Sequence, residues 1–273
     1  MDLETIKRKK NELIERYGQW TAHNIWLADG LYTIDDRLVG DEIKLRRIVQ
    51  MVVDIAAKPL QELRVLDLAC LEGLYSIEFA RHGAEVVAIE GRKANIEKAR
   101  LAKEVLSLAN LELIQDDVRN LSIDRHGMFD VVLCLGVLYH LDVPDVFRFV
   151  ESIAEVCGSF AIFDTHVSLT EERCHSYRGH KYGGKNYVEH SVDSTPEQRE
   201  QALWASLDNT ASFWFTKPSL CDLIARSGFS SVYECSVPSE MEKPEDRITL
   251  LAMRGKDVQL LSTPLVNTAF RQV

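Results

Sequence analysis

Short apolar segments alternate with helical segments between residues 63 and 165, and this alternation restricts the fold more than any other feature of the chain. A strand, a helix and a second strand in succession form a parallel pair with a right-handed crossover. The predicted strands are RVLDL (64–68), EVVAIE (85–90), LELIQ (111–115), FDVVLCL (129–135) and SFAIFD (159–164), and the predicted helices are 76–83, 93–109 and 144–157. The sequence therefore predicts an α/β protein with an open parallel sheet.

The last two strands of the core should run in opposite directions. A predicted helix over 218–227 precedes two strands, SSVYEC (230–235) and RITLLAM (247–253). The loop between these strands is too short for a crossover helix, so they should be antiparallel neighbours. We predict a Rossmann-like, seven-stranded, mostly parallel sheet with a reversed last strand.

Four regions follow from the pattern. Periodic apolar residues predict a helical N-terminal region over 1–57. The core comprises residues 58–165 and 217–254. Residues 166–216 are polar and break the alternation, which predicts an insertion after strand five that contacts the substrate. Residues 255–273 form a C-terminal tail.

Composition excludes several classes of protein. The 273 residues carry 42 acidic and 32 basic side chains, and this net charge of −10 disfavours nucleic acid as a partner. No run approaches the about 20 apolar residues of a membrane span, and the N-terminus lacks the apolar run of a signal peptide. Six cysteines without a CxxC pair are typical of a reduced compartment, so we expect a cytoplasmic protein without a membrane partner.

The segment VLDLACLEGLYSIEFA (65–80) places a strand, a short turn and the start of a helix in succession. Backbone N–H groups at such a helix start face the crevice at the carboxyl ends of the strands, where open α/β sheets bind ligands. Glu90 ends the second strand, where its carboxylate can accept hydrogen bonds from two ribose hydroxyls. Asp117 follows the third strand, and its neighbour Asp116 is the alternative at that position.

These residues resemble the class I S-adenosylmethionine-dependent methyltransferases over residues 63–165 and 217–254. The family pattern hVLDxGCGxG corresponds to VLDLACLEG, in which Ala69 and Leu71 replace two glycines and Gly73 remains. The resemblance implies S-adenosylmethionine as the cofactor, with Glu90 on the ribose and Asp117 on the adenine. It also implies that the helical N-terminal region over 1–57 is a lid. The predicted cofactor-binding residues are Trp20, Asp67, Ala69, Gly73, Glu90, Asp117, Val118 and Leu135.

The substituted glycines predict an altered turn. Ala69 and Leu71 carry Cβ atoms, which make a positive φ costly. We therefore expect a turn that is built differently from the family's, or a backbone that stands slightly away from the ligand. Two structural roles also stay open: Asp67 bonds its own turn rather than the ligand, and Trp20 packs the helical cap on the sheet.

Methyl transfer to a hydroxyl needs a base for the hydroxyl proton. His140 follows strand four in GVLYHL, and His166 follows strand five in FDTHV beside Asp164. We predict catalytic roles for His140, Asp164 and His166, with an Asp164–His166 pair orienting the base. A structural role, such as helix capping, is the alternative for each histidine.

Aromatic residues concentrate in the insertion, as expected of a site for an organic ligand. The predicted substrate contacts are Tyr187, Trp204, Asn209 and Trp214. The alternatives are a small core of the insertion's own and a turn at Asn209. Histidines and a cysteine also concentrate there, but their spacings match no closed zinc pattern, so no metal is predicted.

The sequence thus predicts a methyltransferase for a small organic acceptor, with oxygen as the favoured methylated atom. GVLYH is also similar to a branch of the superfamily that modifies the wobble uridine of transfer RNA. Two functions of different classes stay open as well: a nicotinamide-dependent oxidoreductase, although the GxGxxG spacing is missing, and an adenosylmethionine-binding module without catalysis. The oligomeric state is left open, a homo-oligomer included.

Overall fold

Helices and strands alternate through the computed structural model, which describes residues 1–34, 41–236 and 243–255. Its helices are α1 Leu3–Tyr17, α2 Asp41–Ile55, α3 Leu74–Arg81, α4 Lys93–Leu106, α5 Ile123–His126, α6 Asp145–Val156, α7 Pro196–Gln201 and α8 Lys217–Arg226. Its strands are β1 Trp26–Ala28, β2 Leu31–Tyr32, β3 Arg64–Leu68, β4 Glu85–Glu90, β5 Leu111–Gln115, β6 Phe129–Leu135, β7 Cys157–His166, β8 Arg173–Tyr177, β9 His180–Val188, β10 Ala211–Phe215, β11 Ser231–Glu234 and β12 Arg247–Met253. All but the first residue of the predicted tail 255–273 lies outside the described residues.

Seven strands form the central sheet in the order β11-β12-β7-β6-β3-β4-β5. The five strands from β7 to β5 are parallel, while β12 runs antiparallel to both β7 and β11. The predicted fold class, including the reversed strand, is therefore confirmed. The carboxyl ends of β3, β4, β5 and β6 meet at one edge of the sheet, where ligands of such sheets bind.

Both faces of this sheet are buried, and each supports its own apolar core. Leu66 of β3 packs in one core with residues of α6 such as Phe147. Val65 faces the other core with Ile77 of α3 and Ile96 of α4. This two-sided burial explains why the strands are nearly continuous apolar runs in the sequence.

The N-terminal region is helical, as predicted, with the helices α1 and α2. It also contains a short hairpin of β1 and β2 that was not predicted. Lys9 of α1 donates to Glu104 of α4 at 2.6 Å, which ties the first helix to the core. No helix among residues 1–34, 41–236 and 243–255 has the length and apolar character needed to cross a membrane.

The insertion folds into a three-stranded antiparallel sheet, in the order β10-β9-β8, with α7 between β9 and β10. The sequence pattern predicted no strands here, because β9 is polar, contains Gly183 and Gly184, and is exposed at both ends. Phe213 and Phe215 of β10 join Tyr182 in the main core, so the insertion is packed on the sheet.

Candidate functional site

A cavity of about 530 Å³ opens at the carboxyl edge of the central sheet. Cavities of this volume hold small molecules and cofactors. Its wall combines the strand ends with residues 21–23 and with part of the insertion, residues 203–209. The predicted site residues at this wall are Asp67, Ala69, Glu90, Asp117, Val118, Leu135, His140, Trp204 and Asn209.

The turn after β3 keeps the left-handed backbone that glycine favours. Ala69 has a φ of 54° and Leu71 a φ of 53°, so the expectation of a differently built turn was wrong. Backbone hydrogen bonds hold the strained turn. The Cys70 N–H donates to the Ile89 carbonyl at 3.0 Å, and the Gly73 N–H donates to the Cys70 carbonyl at 2.9 Å. The cost of a left-handed residue with a side chain is about 1–2 kcal/mol.

Glu90 is the carboxylate around which this edge is organised. Its Oε2 accepts from the Leu71 N–H at 2.9 Å, and its Oε1 accepts from the Arg92 N–H at 2.8 Å. Burial raises the pKa of Glu90, against the lowering effect of these hydrogen bonds. Each carboxylate oxygen can accept further bonds, so Glu90 at the cavity wall can also take hydroxyl donors.

Asp67 bonds the helix that follows it. Its Oδ2 accepts from the Ser76 hydroxyl at 2.5 Å. Burial raises the pKa of Asp67 to about 7, against the effect of this bond. Its side chain therefore connects β3 to α3 while remaining part of the cavity wall.

Asp117 lines the cavity, whereas Asp116 is not part of its wall. Asp116 accepts from Asn120 at 2.7 Å and from Arg125 at 2.5 Å. Asp117 pairs with Arg119, whose guanidinium also donates to Asp208 of the insertion at 2.7 Å. This placement favours Asp117 over Asp116 as the ligand contact.

Two predicted cofactor residues lie away from the cavity wall. Trp20 is buried with the Lys98 ammonium 5.5 Å from its ring centre, so it packs the N-terminal segment on the core. Gly73 begins α3 at a φ of 87°, and an added Cβ would lie 3.1 Å from the Ala99 Cβ. Gly73 therefore permits close packing of α3 on α4.

A buried carboxylate that the sequence pattern did not indicate, that of Glu72, holds the N-terminal segment at the cavity. Glu72 accepts from the backbone N–H groups of Thr21 at 2.8 Å and His23 at 3.1 Å. His23 in turn accepts the Leu74 N–H on Nδ1, and burial lowers the pKa of this imidazole to about 3. Thr21 and His23 line the cavity, so Glu72 fixes one of its walls.

His140 lines the cavity and has a carboxylate partner from the insertion. Its Nδ1 lies 2.9 Å from Oε2 of Glu189, whose side chain is fully buried. The same oxygen accepts the Ser206 N–H at 2.8 Å, and Oε1 accepts the Ser212 hydroxyl at 2.6 Å. Burial works against ionisation, yet these bonds and the nearby His140 lower the pKa of Glu189.

The predicted Asp164–His166 pair does not form. Asp164 is buried in an ion-pair cluster with Lys44 and Arg247, and His166 lies 3.0 Å from Asp246. Although burial favours its neutral form, the charges of Lys44 and Arg247 hold the pKa of Asp164 well below its usual value. Neither Asp164 nor His166 lines the cavity, and the catalytic roles predicted for them stay predictions.

Two of the four predicted substrate residues stand apart from the cavity. Tyr187 stacks on Trp214 with ring centres 4.5 Å apart, and Trp214 stacks on His166 at 5.0 Å. Trp204 lines the cavity although 67% of it is exposed, which places it at the rim. Asn209 lines it too, but its amide donates to the carbonyls of His140 and Ala211, as expected of a turn residue.

We call residues 199–209 the strap, because this part of the insertion spans the cavity from the Glu90 side to the His140 side. The buried Arg92 guanidinium lies within 3.2 Å of five strap carbonyl oxygens, those of residues 199, 200, 202, 205 and 206. Gly91 leaves room for Leu207, whose Cδ2 would lie 2.9 Å from an added Cβ.

Among the residues that the structure describes, no three His, Cys, Asp or Glu side chains are grouped so that they could hold a metal ion. The sequence pattern did not indicate Glu72, Arg92 or Glu189. A charged residue inside the turn VLDLACLEG was a signal for Glu72. Arg92 and Glu189 act on partners distant in the chain, so no local pattern marked them.

Comparison with known proteins gives the class of this site. Residues 65–159 match the family model of a methyltransferase domain. The chain is 28% identical over 140 residues to a ubiquinone biosynthesis O-methyltransferase of Rickettsia typhi, over 51% of this chain and 53% of that protein. It is 36% identical over 115 residues to the protein of that name in Acinetobacter baylyi, over 42% of this chain and 46% of that one. The chain thus spans about half the length of these curated relatives.

Solved structures share the fold over a larger part of the chain. The N-terminal domain of EvdMO1, crystallised in the presence of SAH and D-fucose, superposes with a TM-score of 0.71 at 23% identity, covering 93% of this chain and 98% of that one. Magnesium protoporphyrin IX methyltransferase from Synechocystis with bound SAH gives a TM-score of 0.52 at 20% identity, over 78% and 83% of the two chains.

Residues 65–159 thus match a methyltransferase domain, and the fold agrees with the resemblance to the class I S-adenosylmethionine-dependent methyltransferases found in the sequence. S-adenosylmethionine is the cofactor of this class, and the residues at the cavity wall fit it. Glu90 and Asp117 would hold the ribose hydroxyls and the base, and the left-handed turn at Ala69 also lines the cavity. When bound, this cofactor supplies an electrophilic methyl group on a sulfonium sulfur.

Proposed function

We propose that this chain is an O-methyltransferase for a small organic acceptor. Support comes from the relatives of 28% and 36% identity, which are named as O-methyltransferases of ubiquinone biosynthesis. The observation that carries the proposal is that Glu90, suited to the cofactor, and His140, suited to proton transfer, line the same cavity.

In this proposal His140 accepts the proton of the acceptor hydroxyl. The hydroxyl oxygen forms a bond to the methyl carbon as the methyl–sulfur bond breaks, so the sulfonium charge disappears and the imidazole becomes charged. Buried Glu189 lies beside His140 and stabilises that charge. A positioned base of this kind contributes about 10²–10⁴-fold to a rate. Trp204 and Asn209 provide the acceptor side of the wall.

Calorimetry and a methylation assay test the proposal. S-adenosylmethionine and S-adenosylhomocysteine should bind the wild type, and Glu90→Gln should weaken both at least 10-fold. The matched control is Glu112→Gln on the exposed surface of β5, which should bind like the wild type. A panel of phenols, sugars and carboxylic acids, with product mass spectrometry, identifies the acceptor class; His140→Asn should lower kcat on it at least 100-fold.

Three competing functions predict different outcomes. Adenosylmethionine binding without turnover of any acceptor would favour a binding module, and NADH binding without adenosylmethionine binding would favour an oxidoreductase. A transfer-RNA substrate predicts tight binding that weakens steeply with salt. The matched relatives give no support to these three functions.

A further inference from the structure

We propose that Glu189 is the positioning residue of His140, and that it sets which imidazole nitrogen faces the acceptor. The inference rests on the proposed function, since it assigns Glu189 a task in that reaction. Glu189 touches neither acceptor nor cofactor in this proposal, because its side chain is fully buried and does not line the cavity.

The surroundings of Glu189 form a built carboxylate site. Its two oxygens accept three hydrogen bonds: His140 Nδ1 and the Ser206 N–H on Oε2, and the Ser212 hydroxyl on Oε1. Buried polar groups need such partners, and a buried charge needs them most. Because these three hydrogen bonds come from different parts of the chain, they hold the Glu189 carboxylate in one orientation.

That orientation fixes the tautomer of His140. An ionised carboxylate only accepts hydrogen bonds, so the proton of the neutral imidazole must be on Nδ1. Nε2 then carries the lone pair and is the nitrogen able to take a proton from an acceptor. The opposite tautomer would place two lone pairs against each other at 2.9 Å.

The strap links this arrangement to the cofactor side of the cavity. Ser206, which donates to Glu189, belongs to the strap, and its carbonyl oxygen lies 2.8 Å from the Arg92 guanidinium. The Arg92 backbone N–H donates to Glu90. A continuous set of contacts therefore connects Glu90, the proposed ribose-binding residue, to His140, the proposed base. Glu189 is the member of this set that contacts His140.

The first test is spectroscopic and uses the wild-type protein. With ¹⁵N-labelled histidine, the His140 signals are assigned by their loss in His140→Asn. In the neutral imidazole they should show a protonated Nδ1 and an unprotonated Nε2. An unprotonated Nδ1 would overturn the proposal whatever the kinetics show.

The second test is kinetic. Glu189→Gln should lower kcat about 10- to 100-fold, leave KM for S-adenosylmethionine within about threefold, and move the acid limb of the kcat–pH profile to lower pH. The shift is expected because the lost negative charge no longer favours the protonated imidazole. In a His140→Asn background the same change should have little further effect on kcat, because Glu189 acts through His140.

The matched control is Asp246→Asn, which removes the carboxylate partner of His166, a histidine away from the cavity wall. The acid limb of the kcat–pH profile of this variant should lie at the same pH as in the wild type. If His140→Asn is inactive while Glu189→Gln keeps the wild-type kcat and profile, this inference fails and the proposed function stands. If His140→Asn is fully active, the proposed role of His140 fails and the assignment of Glu189 fails with it.

Discussion

The Glu72 carboxylate lies 3.3 Å from the Lys98 ammonium, and both side chains are fully buried. Glu72 also accepts the backbone N–H groups of Thr21, Ala22 and His23, while Lys98 donates to the Gln19 carbonyl at 2.6 Å. One buried ion pair therefore holds the N-terminal segment against the turn that the cofactor should contact.

Replacing Glu72 with Ala should destabilise the protein by about 3–5 kcal/mol, because it leaves a buried ammonium without its carboxylate. Urea unfolding measures this loss. S-adenosylhomocysteine affinity should fall as well, since residues 21–23 form part of the cavity wall. The control is Glu104→Gln in the exposed Lys9–Glu104 pair, which should change stability by less than about 1 kcal/mol. Equal effects of the two variants would contradict the structural role given to Glu72.

The turn after β3 should become more stable when a glycine is restored. Ala69→Gly removes a Cβ from a residue at φ 54° and should gain up to about 1 kcal/mol in the free energy of unfolding. Gly73→Ala should act in the opposite direction, because its φ is 87° and Ala99 is close. Thermal and urea unfolding of both variants test this; a loss of stability in Ala69→Gly would show that the left-handed backbone is not strained.

The central sheet could be predicted from the sequence because its strands are buried on both faces. The predicted bounds of β6 and β12 match the structure at both ends. Helix α3 was predicted over 76–83 and lies at Leu74–Arg81, since the left-handed Gly73 starts it earlier. The strands of the insertion were missed because polar and glycine-containing strands lack the alternation that reveals a buried face.

The sequence could be used to place Glu90, Asp117 and Ala69 at the cavity wall, but the pairing of Asp164 with His166 could not be judged from it. Glu90, Asp117 and Ala69 follow strand ends, whose position at the sheet edge the topology fixes. Asp164 and His166 are two residues apart on one strand, which separates their backbones by about 7 Å. The neighbouring chain segment supplies nearer partners, Arg247 and Asp246, and their contacts span about 80 residues of sequence.

Asp67 should make stability fall as the pH rises. Burial raises its pKa to about 7 from the usual 3.8, so the folded state binds more protons than the unfolded state between these values. The stabilisation is therefore fully present below pH 3.8 and is lost as the pH rises to about 7. Asp67→Asn removes this titration, so its stability relative to the wild type should increase from about pH 4 to about pH 7, by at most about 4 kcal/mol. Urea unfolding across this range tests it, and a stability difference that does not vary with pH would contradict it.

Arg92 should hold the strap closed without being needed for the fold of the sheet. Arg92→Lys replaces a planar guanidinium near five carbonyl oxygens with an ammonium that has only three donors, so the strap should open more often. Hydrogen exchange should then accelerate in residues 199–209 and stay unchanged in β3 and β6.

A second pair of variants tests the same contact surface from the other side. Gly91→Ala should also accelerate exchange in the strap, because the new Cβ would lie 2.9 Å from Leu207 Cδ2. Leu207→Ala in that background removes the clash and should slow exchange toward the wild-type rate. In the wild type, Leu207→Ala only removes packing and should not slow exchange. If Gly91→Ala leaves exchange in the strap at the wild-type rate, the strap does not depend on its close approach to Gly91. If Arg92→Lys accelerates exchange equally in β3, then Arg92 stabilises the whole domain rather than the strap.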